Sequence, residues 1–159
     1  MAIRGLPTHR EYTQQLLEHY HHPRNVGELP GADAVVTVGS PTHGDVMQLS
    51  LRITEGRVAD ARFKTFGCAV AIAAGSAVTE LIRGMSLEEM ERLSNSRVVQ
   101  ALGGVPENKM GCSVLDEQAI REALAVYRAK RTGGLVEVQS QEPIQGTAAG
   151  SAAGIPLQR

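Results

Sequence analysis

The chain has 159 residues, 42% of them hydrophobic, which is enough for one domain with a buried core. A formal net charge of -1 gives no electrostatic ground for nucleic acid or an anionic membrane as partner. Aromatics are only 3% with no Trp, so the core must be aliphatic and Ala-rich, and two cysteines are too few for a disulfide scaffold.

The two thiols therefore read as reduced, either as buried packing or as working ligands. No apolar leader occupies residues 1–7, and the longest apolar run, residues 69–74, is far short of the roughly 18 residues a membrane span needs. The expectation is a soluble protein of the cytoplasm.

Residues 9–22 predict a first helix, capped by Thr8, with Tyr12, Leu16, Leu17 and Tyr20 on one face. Pro23 and Gly27 end it. His19, His21 and His22 invite a metal reading, but adjacent His21 and His22 point apart on a helix, and a solvated helix end is expected.

Residues 34–38 form a β-branched strand and residues 39–44 a loop. A second strand over residues 45–53 puts Met47, Leu49, Leu51 and Ile53 on one face and Val46 on the other. After a hairpin turn at Glu55-Gly56, a third strand over residues 58–66 groups Val58 with Asp60, Arg62 and Lys64, against Ala59, Ala61, Phe63 and Thr65. Three consecutive short strands imply an antiparallel meander with one face open to helices.

The stretch from Arg62 to Ile82 passes from strand to helix at Gly67, and the helix's first turn is expected to hold Cys68. Its first half is Ala, Gly and Ser, which lets another backbone approach closely. A thiol at that junction lies among unpaired N–H groups at the positive end of a helix dipole, and both favour thiolate.

Ser86 and Glu89 read as a capping box for a short helix, and Asn95 opens another that stops at Gly103-Gly104. Residues 105–111 are expected as loop. The last helix is expected to start near Cys112-Ser113, with Ser113 and Asp116 in a capping pattern, and to run to Arg131. Its stripe would be Val114, Leu115, Ala119, Ile120, Ala123, Leu124 and Tyr127. From Thr132 the composition turns to Gly, Ala, Ser, Gln and Pro. One domain over residues 8–131 with a disordered tail over residues 132–159 is therefore expected.

Three Gly-flanked loops can bring chemistry together: His43-Gly44-Asp45, Gly67-Cys68 and Gly111-Cys112. Two thiols, an imidazole and a carboxylate make a four-ligand set for Zn²⁺, and a thiolate pair with His also suits iron–sulfur chemistry. Spacing alone leaves a second reading open, in which Cys68 and Cys112 are small core residues and His43 and Asp45 hydrogen-bond a turn. A hydrolytic Zn²⁺ site would lack a general base beyond Asp45.

Residues 12–131 resemble the U-type iron–sulfur cluster assembly scaffolds, the IscU/NifU family. The resemblance rests on His19-Tyr20-His21-His22-Pro23-Arg24-Asn25-Val26-Gly27, on Gly44-Asp45-Val46-Met47 and on Ala61-Arg62-Phe63-Lys64-Thr65-Phe66-Gly67-Cys68 with Ala71-Ile72-Ala73. Lys109-Met110-Gly111-Cys112-Ser113-Val114-Leu115 completes it. It implies a SufE/NifU-like α+β fold, a three-stranded antiparallel sheet packed by helices, with a metal or cluster site at one end.

It also implies a scaffold or carrier rather than an enzyme. Such a protein receives sulfur from a cysteine desulfurase and iron from a donor, holds a transient two-iron, two-sulfur cluster, and passes it to recipient apo-proteins. Cys68 and Cys112 would be ligands, Cys112 the persulfide acceptor, and Asp45 the residue that keeps the cluster labile. Two positions depart from the family pattern: His43 stands where it has cysteine, and Gly111 where it has histidine. His43 could still complete a set with Asp45, Cys68 and Cys112, and loss of a thiolate charge favours a divalent metal such as zinc or a less reducing cluster. Lys109 occupies a family lysine position, as a partner contact or as a solvated loop residue. Val105-Pro106-Glu107-Asn108 departs from the Leu-Pro-Pro-Val form, which puts a dedicated chaperone in doubt. The alternative is a degenerate paralogue, a protein–protein adaptor or zinc-binding protein that assembles no cluster.

Overall fold

The structure, a computed structural model, describes residues 12–40 and 44–131. The first helix, α1 (Gln14–His21), begins at Thr13 rather than near Thr8, which lies outside the described residues. Thr13 is extended, its Oγ1 accepts the Leu16 N–H at 3.0 Å, and the same hydroxyl donates to the Leu102 carbonyl. One side chain thus caps the helix and ties its start to a segment 89 residues further along the chain. Leu16 is fully buried, with Tyr12 and Tyr20 packed at the margin of the core. His21 and His22 are exposed as expected, whereas His19 is half-buried, its Nδ1 2.7 Å from Ser76 Oγ. Burial holds the His19 imidazole below its ordinary pKa. His19 is therefore a tie between two helices, not part of a solvated end.

The sheet is the expected meander: β1 (Ala34–Ser40), β2 (Asp45–Thr54) and β3 (Arg57–Phe66), antiparallel in the order β1-β2-β3. β1 runs on through Gly39 and Ser40, expected as loop, because they pair with Val46 and Asp45. Glu55 and Gly56 both take positive φ, 54° and 74°, the two-residue turn whose twist suits a hairpin.

The pairing of Arg52 with Asp60 and of Ile53 with Val58 leaves Ala59 as an extra residue, a β-bulge. The bulge turns Val58 onto the buried face with Ala61, Phe63 and Thr65, correcting the strict alternation that grouped it with Asp60. The outer edge of β3 is covered by residues 25–27, through Gly27 N–H to Phe63 O at 2.8 Å and Phe63 N–H to Asn25 O at 2.9 Å.

Helix α2 (Ala69–Ile82) follows, with Cys68 as its cap residue rather than inside its first turn. Its small residues receive the sheet: a Cβ on Gly75 would lie 2.5 Å from the Phe63 ring. Helix α3 (Leu87–Glu91) carries the full capping box, with Ser86 Oγ accepting from Glu89 N–H and Glu89 Oε2 accepting from Ser86 N–H. Helix α4 (Asn95–Ala101) ends at Gly103 and Gly104, both left-handed.

A 3₁₀ turn (Glu107–Lys109) leads directly into α5 (Met110–Arg131), two residues earlier than expected. Ser113 therefore lies inside the helix, where its hydroxyl donates to the Met110 carbonyl at 2.8 Å, and it caps nothing. Helix α5 packs on α2, β1 and β2. Its buried face holds Cys112, Leu115, Asp116, Ala119, Ile120, Ala123 and Leu124, while Val114, about 200° round from Cys112, is 46% exposed. No helix among the described residues is long and apolar enough to cross a membrane. His43 and residues 132–159 lie outside the described residues.

Candidate metal centre

Three chain breaks in regular structure meet at one end of the sheet. Asp45 is the first residue of β2, Cys68 caps α2, and Cys112 sits in the first turn of α5. One ligand atom from each, a carboxylate oxygen and two Sγ atoms, lie within 4.8 Å of one another. Asp45 is 3% exposed, Cys112 is 2% exposed, and Cys68 is half-buried. Three of the four residues expected as ligands are thus brought together, and the fourth, His43, belongs to the segment outside the described residues.

The carboxylate is held from behind. Asp45 Oδ1 accepts the backbone N–H of Cys68 at 3.2 Å, so the cap of α2 is tied to the start of β2. Gly67 makes the approach possible: an added Cβ would lie 2.8 Å from Asp45 Cγ and 3.1 Å from Ala71 Cβ. Gly44, at φ 70°, turns the chain into β2 just before Asp45.

The other carboxylate oxygen, Asp45 Oδ2, is buried and meets no donor among the described residues. A buried acceptor left so is expensive, and a cation beside it removes the penalty. Burial first, and the neighbouring Asp45 and Cys68 groups after it, push the Cys112 thiol well above its ordinary pKa. Metal binding would have to displace that proton, as thiolate ligation does generally. Two sulfurs and a hard oxygen suit zinc or iron and do not suit magnesium or calcium.

Two features of the neighbourhood escaped the sequence reading. Asp116, one turn beyond Cys112, is 1% exposed, and its Oδ2 has no partner among the described residues. The signal was the four-residue spacing of Cys112, Asp116 and Ile120, which places all three on one helix face. Phe66, just before Gly67-Cys68, is 41% exposed beside the site. Lys109 lies half-buried in the 3₁₀ turn that precedes α5.

A three-stranded antiparallel meander backed by helices, with Asp and Cys donors gathered where β2, α2 and α5 begin, defines the U-type scaffold class. The sequence profile described as NifU-like N terminal domain matches residues 11–133, and the chain belongs to that family. It is 44% identical over 124 residues to the iron-sulfur cluster assembly scaffold protein IscU of Haemophilus influenzae, covering 76% of this chain and 98% of that one. IscU 1 of Archaeoglobus fulgidus, also named an iron-sulfur cluster assembly scaffold protein, is 42% identical over 119 residues, 75% of this chain and 78% of its own. Among solved structures, the N-terminal part of a nitrogen-fixing NifU-like protein from Brucella abortus superposes with a TM-score of 0.64. That match covers 77% of this chain and 97% of the other at 21% identity, and it speaks to the fold. The resemblance read from the motifs is borne out, as is the α+β architecture.

Proposed function

We propose that this protein is an iron–sulfur cluster assembly scaffold whose cargo, a transient two-iron, two-sulfur cluster, iron or zinc, is held by Asp45, Cys68 and Cys112. The observation that carries this reading is the convergence of two thiols on a buried carboxylate with one oxygen left unpartnered. His43, two residues before Asp45, is the fourth donor proposed from the sequence. The roles of the chain's own groups follow from their surroundings. Cys68 and Cys112 bind as thiolates once their protons leave. Asp45, held by the Cys68 N–H, contributes a hard oxygen that weakens the grip of an otherwise sulfur-rich site.

Relatives named as iron-sulfur cluster assembly scaffold proteins support a scaffold role; in this reading sulfur comes from a cysteine desulfurase, iron from a donor, and the cargo passes to apo-proteins without turnover. Cys112, 2% exposed, is the proposed persulfide acceptor. Reduced thiols suit the cytoplasm.

Anaerobic reconstitution with ferrous iron and sulfide tests the proposal. Wild type should take up iron and acid-labile sulfide in equal amounts and gain visible absorption. His43→Ala should take up less if the imidazole is the fourth donor. Zinc uptake with no labile sulfide under any condition would replace the scaffold by a zinc-binding protein.

A further inference from the structure

The chain contains two cysteines, both are free, and the fold brings them into the same three-residue cluster. The Sγ atoms of Cys68 and Cys112 lie within 4.8 Å of each other. Closing from that separation to a bond of about 2 Å takes a side-chain rotation and a small backbone shift. The mobile half of the movement falls to Cys68, an extended cap residue preceded by glycine, while Cys112 is carried on a 22-residue helix. Exposure also differs: Cys68 is half-buried and reachable from solvent, and Cys112 is not.

We propose that, when no cation occupies the centre, Cys68 and Cys112 form an intramolecular disulfide on meeting a peroxide, making the ligand pair a redox switch that bound metal holds open. The steps balance. The Cys68 sulfur attacks one peroxide oxygen, the O–O bond breaks, and a sulfenic acid and water result. The Cys112 sulfur then attacks the Cys68 sulfur and the S–O bond breaks. The leaving hydroxide becomes a second water with the proton of the Cys112 thiol. Two thiols and one peroxide become one disulfide and two waters. A cation on both sulfurs occupies the lone pairs that each step uses, so loading and oxidation exclude each other. The disulfide would pin the start of α2 to the start of α5 and leave Asp45 without a thiolate partner for metal. The protective half of this idea rests on the proposed cargo site; the disulfide itself rests only on the geometry.

The test uses the full chain, reduced and stripped with a chelator, then treated with one equivalent of hydrogen peroxide. The expected result is loss of both titratable thiols, an intact mass lower by two hydrogens, and one cross-linked peptide joining Cys68 to Cys112. Protein loaded with Zn²⁺ should keep both thiols under the same treatment. Cys112→Ser should stop at a sulfenic acid on Cys68 that a dimedone-type probe captures. Sulfinic acid or intermolecular dimers in place of the internal cross-link would overturn the proposal. Oxidation of Zn²⁺-loaded protein as fast as the stripped form would overturn the protective half. If elemental analysis finds no Zn²⁺ bound, zinc is removed from the proposed cargo and the protective half falls with it, while the stripped protein still decides the disulfide.

Discussion

Asp116→Asn isolates the cost of a carboxyl group sealed into α5. The side chain is 1% exposed, one oxygen has no partner among the described residues, and burial pushes its pKa well above the ordinary carboxylate range. The folded state therefore keeps a proton that the unfolded chain releases above about pH 4. Its contribution to stability is fully present below that pH and is lost as pH rises toward the raised folded value. Between those limits the folding constant falls about tenfold per pH unit from this one group, on the order of 1 kcal/mol for each. Asparagine cannot titrate, so its shortfall in hydrogen bonds, about 1–3 kcal/mol, is the same at every pH. Urea unfolding of the reduced, chelator-treated chain from pH 4 to pH 8 reads the difference, with the titrations of all other groups common to both proteins. Wild type should be the more stable at pH 4 and lose ground to the variant with each unit. Parallel curves would refute the reasoning and mean that Asp116 has a partner or water that the fold hides.

Gly67→Ala should weaken Zn²⁺ binding by about 10–100-fold, since the new methyl displaces the Asp45 carboxylate that the glycine admits; competition with a chromophoric chelator measures it. Gly75→Ala sets two effects against each other. Helix propensity favours Ala by about 1 kcal/mol, and crowding the Phe63 ring costs about 1–3 kcal/mol, so a lowered melting temperature is expected and a raised one would contradict the close contact. Ser86→Ala removes half of the capping box on α3 and should cost about 1 kcal/mol in denaturant unfolding, with metal binding unchanged.

Much of the fold was legible because local rules and burial agree along most of the chain. Met47, Leu49, Leu51 and Ile53 alternate as a half-buried strand must, and all four are buried. Ser86 and Glu89 satisfy each other within one turn, so no tertiary knowledge was needed. Val58 was misplaced because a bulge belongs to a pair of strands, and neither sequence alone marks Ala59 as the extra residue. The start of α5 was misread because Ser113 and Asp116 fit a capping pattern. The 3₁₀ turn before Met110 supplies the helix start instead, and the packed face then carries Asp116 inward. At the site, Asp45, Cys68 and Cys112 are legible from their Gly-flanked loops and the motif resemblance, but the close approach of the Asp45 carboxylate to Gly67, 2.8 Å from an added Cβ to Cγ, is tertiary geometry that no spacing encodes.

X-ray absorption at the zinc edge, on the full chain loaded with one equivalent of Zn²⁺, tests the central claim most directly. The account predicts two sulfur scatterers at about 2.3 Å with the remaining ligands oxygen or nitrogen, falling to one sulfur in Cys68→Ser and in Cys112→Ser alike. A first shell without sulfur, or one that neither substitution changes, would contradict it.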